Sequence, residues 1–286
     1  MKKVLIFGCC AASFAAATAV SAKTTPYAWV SDTMIADQRA RLSELTRGMG
    51  FGPQSPRNID AKAGNNPIVY GQAPDYQQMN LCNIHFHAGA EHAGGEFTRY
   101  LGNGDGQGYN SGYGYSGLLS PKETRPIAGA ICPSKQGSLK PGDTIEVHYV
   151  HSTAQVSPGP TLGACLSESI KNPQLRVEAQ VFSLVNDKKA LDFAALAAYG
   201  QKGRFKQALN IPSDTGTPVV YNGSTTGPNY NEAGSPFQVT WSVRPEVKKV
   251  NIASVGDWCE KNVFNEDHAH GVRTLVTDPD LLSPIE

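Results

Sequence analysis

Apolar and polar positions alternate with a period of two in several stretches of the chain, which is the signature of strands with two distinct faces. One begins near Met79 and runs through Phe86. A second covers Thr144 to Ser152, a third Leu175 to Val185, and a shorter fourth Phe237 to Val243. A helical spacing occurs near the N-terminus. From Ile35 to Met49 the apolar residues Leu42, Leu45 and Met49 fall three to four apart, and Ser31 or Asp32 stands ready to cap the start. A short helical stretch is predicted around Leu191 to Tyr199. Residues 51–80 are rich in Gly, Pro and Asn and read as loop. The run GNGDGQGYNSGYGYSG at 102–117 offers little that packs a core, so a long surface loop is predicted there. There is no internal repeat and no linker between two independent cores, which favours one β-rich domain.

Composition adds to this picture in three ways. The 286 residues carry 25 Lys and Arg against 25 Asp and Glu, so there is no basic field to attract nucleic acid or an acidic membrane surface. With 40% hydrophobic residues the chain can fill a core, and its 29 Gly and 19 Pro favour turns and short strands over long helices. The first 22 residues read as an export signal: Lys2 and Lys3, an apolar run from Val4 to about Ala19, and the small-residue site Val20-Ser21-Ala22. That leaves residues 23–286 as the working domain, in a periplasmic or secreted location. The apolar run is too short and too rich in Ala for a membrane span, and no later segment reaches the ~18 apolar residues a span needs.

Six cysteines are present, and Cys9 and Cys10 leave with the signal. The remaining Cys82, Cys132, Cys165 and Cys259 suggest two disulfides in an oxidising compartment, with all three pairings open. No CxxC spacing exists, which argues against a cysteine metal site.

The chemistry concentrates in Asn83-Ile84-His85-Phe86-His87. On a strand, Asn83, His85 and His87 share one face, so two imidazoles can grip one metal. Thr144 to Val150 places Glu146, His148 and Val150 on one face and supplies a third imidazole. Glu146 and Asn83 each stand two residues before a ligand histidine, where an oxygen can accept the ring N–H and fix the tautomer. Three His ligands leave a tetrahedral metal one open position, the mark of a catalytic centre. An isolated HxH is weak evidence, and the Glu146–His148 segment is what strengthens it. A second HxH, His268 and His270 in NEDHAHGVR, reads as an exposed loop, a structural pair tied to Asp267 and Arg273, an accessory metal site or a proton relay. His151 should face away from His148.

Six blocks in order resemble the alpha-type carbonic anhydrases: Gln54-Ser55-Pro56-Arg57-Asn58-Ile59, Asn83 to His87, Ala90-Glu91-His92, Glu146 to His151, Tyr221-Asn222-Gly223-Ser224-Thr225-Thr226, and Val239-Thr240-Trp241. They span about residues 51–245. The short His87–Glu91 loop, the cysteine just before the HxH strand, the reading HFHAGAEH and the long Gly/Tyr-rich insert are more similar to the delta class. The resemblance implies a mainly β (α+β) domain with a large, mostly antiparallel central sheet and short peripheral helices. It implies one Zn2+ per chain on His85, His87 and His148, and reversible hydration of carbon dioxide by a zinc hydroxide. Thr226, with Thr225 as the alternative, would orient that hydroxide through Glu91. His92 would be a structural hydrogen-bonding residue. Val150, Val239 and Trp241 would wall the substrate pocket. No His lies between Asp60 and Asn83, where the family places its shuttle. A carbonic-anhydrase-like binding protein without turnover and a zinc esterase are the competing functions. The partner is a small molecule, and a monomer and a homodimer both remain open.

Overall fold

The computed structural model describes residues 29–224, 234–235 and 237–286. The predicted signal and both Thr225 and Thr226 lie outside these described residues. In chain order the elements are α1 (Asp32–Thr46), β1 (Asn80–Ala88), β2 (Arg99–Tyr100), β3 (Tyr113–Gly114), β4 (Ile131–Ser134), β5 (Gly137–Leu139), β6 (Thr144–Ser152), β7 (Leu175–Val185), α2 (Phe193–Leu196), β8 (Tyr199–Lys202), β9 (Phe205–Ala208), β10 (Val219–Gly223), β11 (Val239–Val243), β12 (Lys248–Asn251) and α3 (Ile252–Glu260). None of the described helices is long and apolar enough to cross a membrane.

β7 is the centre of the sheet, and every one of its residues is buried. β6 pairs with it antiparallel, and β1 pairs antiparallel with the far edge of β6. On the other side of β7, β11 runs parallel to its first half and β12 parallel to its second half, while β10 closes antiparallel on β11. The sheet is therefore mixed. Period-two alternation reports which face a residue takes but not the direction of its neighbour, so the parallel pairs had no signature in the pattern.

The alternation sorts two layers. Ile84, Phe86, Ile145, Val147, Phe182 and Leu184 meet α2 and α3 on one face, where Phe86, Phe193 and Trp258 form a ring cluster with centroids 5.1–5.9 Å apart. Val150, Val177, Ala179, Val181, Tyr221, Val239 and Trp241 form the layer on the face that carries the histidines. The core helix α3 was legible but not predicted: Asn251 caps it by accepting from Ala253 N, and Ile252, Val255, Trp258 and Cys259 recur on its buried side. α1 begins at Asp32, with Ser31 Oγ accepting from Met34 N, and stops at Thr46 rather than Met49 because Gly48 takes φ 74°. The helix expected around 191–199 is the single turn α2, and Tyr199 already opens β8.

The Gly/Tyr-rich insert departs from the predicted surface loop. Gly104, Gly106, Gly108, Gly112 and Gly114 are buried. The insert is stitched to the chain beside the histidines by Tyr113 N–H to Ala90 O (2.9 Å) and Val272 N–H to Gly108 O (3.0 Å). A Cβ on Gly104 would stand 1.9 Å from Tyr109 O, and one on Gly112 2.6 Å from Ala90 O. Backbone packs on backbone here, which only glycine permits.

The disulfides are Cys82–Cys165 and Cys132–Cys259. The first closes 83 residues of sequence separation, a loop for which chain entropy alone allows about 4–5 kcal/mol. An irregularity in the β1–β6 register between Leu81 and Asn83 puts Cys82 into the histidine-side layer directly before Asn83. The second disulfide ties β4 to α3 on the opposite face, away from the histidines.

His151 faces away from His148, as alternation requires. Its Nδ1 meets Tyr149 O at 3.0 Å and its ring packs on Tyr76 at 5.3 Å. Burial drives it down to about 3, against the opposing pull of the Tyr149 carbonyl. The unfolded chain therefore takes up this proton near pH 6.5 while the folded chain refuses it until about pH 3. Stability is present above the unfolded value and drains away as pH falls through that window. From pH 7 to pH 5 the wild type should lose about 2 kcal/mol more than His151→Gln, read by urea unfolding at both pH values. Parallel losses in the two proteins would remove His151 as the cause.

Candidate metal centre

The register of β1 on β6 builds the centre. His85 lies directly opposite His148 and His87 opposite Glu146, and the next residue across from His148 on β7 is Ala179. A small side chain at that position leaves room above the sheet. Trp241 then packs its ring 5.3 Å from the His148 ring and 5.2 Å from that of His92. His87 and His148 are buried and His85 is partly exposed, so the cluster is enclosed beneath and reached from the His85 side.

Each ring has one nitrogen engaged by an oxygen. His85 Nδ1 meets Asn83 Oδ1 at 2.6 Å, and the Asn83 amide is oriented by its N–H donating to Gly159 O at 3.1 Å. His87 Nδ1 meets Gly271 O at 3.0 Å. His148 Nε2 meets Glu146 Oε1 at 2.9 Å. Since all three partners only accept, those nitrogens carry the protons, and in the neutral rings His85 Nε2, His87 Nε2 and His148 Nδ1 offer the lone pairs. The three residues form a group whose ligand atoms lie within 4.8 Å of one another. His148 Nδ1 and His85 Nε2 stand 3.3 Å apart. A proton on His148 or a metal ion can bridge two nitrogens at that separation. The distance is also the edge of a tetrahedron whose metal–nitrogen bonds are about 2.0–2.1 Å. The residues therefore fit a tetrahedral metal with one position open.

Burial and the neighbouring imidazoles hold His85 well below its ordinary range, and burial takes His87 to about 4 against the pull of Glu91. Burial also works to lower His148, but the Glu146 carboxylate outweighs it and raises the ring. Glu146 itself is fully buried. Burial would raise it, yet it is held well below the carboxylate range by His92 and His148. It accepts four N–H groups: Glu91 N at 2.7 Å and His92 N at 3.0 Å on Oε2, His92 Nδ1 at 2.6 Å and His148 Nε2 on Oε1. His92 continues outward to Tyr221 OH at 2.7 Å, and the buried Arg57 guanidinium stands over the Tyr221 ring at 5.4 Å. With both ring nitrogens engaged, His92 is a hydrogen-bonding member of this network.

Glu91 is buried beside the ligands. Its Oε1 accepts from Arg273 N at 2.8 Å and lies 3.4 Å from His87 Nδ1. Its predicted partner Thr226 lies outside the described residues, as does the alternative Thr225. Val150 and Trp241 share one row across the sheet, Val150–Val177–Trp241, next to that of His148; Val239 is one row further. His270 stands at the open side, its ring 5.6 Å from His85 and 5.8 Å from His87, with Nε2 on Glu266 Oε2 at 2.6 Å. His268 follows 5.9 Å further out, paired with Asp267. Residues missed by the sequence reading are Gly271, whose contribution is a main-chain carbonyl, and Gly159, which aims Asn83.

Three convergent imidazoles, each with its second ring nitrogen on an oxygen, and a buried carboxylate alongside form a group that could hold a metal ion on a β-sheet. The family model for delta carbonic anhydrases matches residues 76–254, and the chain belongs to that family. The matched segment contains His85, His87, His148, Glu91 and Glu146. No curated protein sequence matches the chain. Solved structures similar to it include an alpha-carbonic anhydrase of Photobacterium profundum, 17% identical over 87% of this chain and 97% of that one, with a TM-score of 0.27. Another is the alpha-carbonic anhydrase of Thermovibrio ammonificans in complex with sulfanilamide, 16% identical over 78% of this chain and 84% of that one, with a TM-score of 0.28.

Proposed function

We propose that this chain catalyses the reversible hydration of carbon dioxide to bicarbonate and a proton, using one Zn2+ held by His85 Nε2, His87 Nε2 and His148 Nδ1, and that it does so after export to the periplasm or the medium. The observation that supports the reading is the convergence of three imidazoles whose ligand atoms lie within 4.8 Å of one another, each with its second ring nitrogen on an oxygen. Bound there, the metal would act as a Lewis acid that makes water a nucleophile near neutral pH. The chain supplies the rest. Asn83, Gly271 and Glu146 hold the three rings. Glu91, pinned by Arg273 N, would accept a hydrogen bond from the hydroxyl of Thr226 (or Thr225), so that this hydroxyl can in turn accept one from the nucleophile and aim its lone pair. Val150, Val239 and Trp241 give carbon dioxide an apolar wall. His270 and then His268 line the way out for the proton. The two disulfides among the described residues support an oxidising compartment.

The test is zinc content and carbon dioxide hydration measured on one preparation. One zinc per chain with hydration blocked by a sulfonamide, whose nitrogen can take the open position, is expected. One zinc without hydration would instead indicate a carbonic-anhydrase-like binding protein. A side activity on activated esters is compatible with the main reading, since the same nucleophile attacks them.

A further inference from the structure

The chain has seven histidines. Five are committed: His85, His87 and His148 face one another, His92 bridges Glu146 and Tyr221, and His151 is sealed behind the sheet. His268 and His270 lie outside that set, with side chains 37% and 43% exposed. They are not a loose loop. His270 N donates to Phe86 O and Ala88 N donates to His270 O, so this segment lies parallel along the free edge of β1. Ala269 between them is buried in the core beneath, which turns both histidines outward on the same side.

The ring spacing is close to that of the inner pair, although the ligand atoms do not yet converge on one point as they do there. The inner HxH pair has ring centroids 5.3 Å apart and the outer pair 5.9 Å. The outer pair also has its own carboxylate. Glu266 is nearly buried, touches His270 Nε2 at 2.6 Å, and its main chain is clamped on both sides by Asn262, through Glu266 N to Asn262 Oδ1 and Asn262 Nδ2 to Glu266 O. The carboxylate is thus fixed before any ligand arrives.

We propose that Glu266, His268 and His270 form a second, outer metal site for a divalent transition metal of the zinc, nickel or copper type, seated at the mouth of the three-histidine centre. Imidazoles select such ions over magnesium or calcium, which prefer oxygen. A metal takes the place of the contact between His270 Nε2 and Glu266 Oε2. His268 leaves the exposed Asp267 by rotating its side chain and completes the set. Ordering that exposed ring makes the outer site weaker than the inner one, where all three rings are already fixed. The His270 ring stands 5.6 Å from His85 and 5.8 Å from His87, so the outer site adjoins the inner centre.

The experiment is a calorimetric titration with Zn2+ of the full chain, free of added histidines and already holding one equivalent of zinc. A second, weaker equivalent is expected. His268→Ala and His270→Ala should each weaken that second equivalent at least about tenfold and leave the first in place. His148→Ala should lose the first and keep the second, so failure of the inner centre and failure of the outer site remain distinguishable. Uptake of one equivalent only, a second equivalent unchanged in both outer variants, or its displacement by excess Mg2+ would each overturn the proposal.

Discussion

His148→Ala loses the metal and carbon dioxide hydration together. The centre has three side-chain ligands and no spare among its buried neighbours, because both ring nitrogens of His92 and all of the Glu146 oxygens are already engaged. If the binding free energy of about 10–16 kcal/mol typical of protein zinc is shared among the ligands, removing one costs about 4 kcal/mol, roughly a thousandfold in affinity. The fold should survive, since Glu146 keeps three of its four donors and the space opened beside Ala179 is small. Metal content after dialysis, read beside circular dichroism, checks this. Stoichiometric metal at full activity would remove His148 from the centre.

Glu146→Gln is expected to damage stability and metal affinity at once. The carboxylate faces only donors. An amide in its place brings an NH2 group against at least one pair of N–H groups, either those of Glu91 and His92 on one side or those of His92 and His148 on the other. Leaving such buried donors unmatched costs about 3–5 kcal/mol. Loss of the ring-orienting contact lowers metal affinity by about 10–100-fold. Urea unfolding of the metal-free protein separates the first effect from the second, which competition with a chelator measures. A glutamine variant with wild-type values in both would show that the network is not electrostatically tuned.

How much of this was legible in the chain follows from what each contact is made of. Side chains on strands announce their face through alternation, so His85, His87, His148, Asn83 and Glu146 could be placed on one surface before any coordinates, and His151 on the other. The contact of His148 with Trp241 could not, because it depends on β11 running parallel to β7, and period two is silent about strand direction. The pairing of four cysteines depends on distances across the fold. The Gly/Tyr-rich insert misled for a definite reason. A segment without bulky side chains is ordinarily solvated, whereas here glycines are required so that the main chain can approach Ala90 and the 271–272 segment. The partner of His87 left no residue signal at all, because any amino acid has a carbonyl.

That last contact sets the three ligands apart in their exposure to mutation. His85 and His148 are aimed by Asn83 and Glu146, and a single base change at either codon can delete the acceptor. His87 is aimed by the carbonyl of residue 271, which survives any substitution in kind and can be lost only in position. The position is guarded in turn, because a Cβ at 271 would fall 3.0–3.2 Å from the backbone of Gln107, Gly108 and Tyr109. Drift in the glycine-rich insert would therefore register at His87, and a segment that reads as the least constrained part of the chain inherits the selective pressure of a metal ligand.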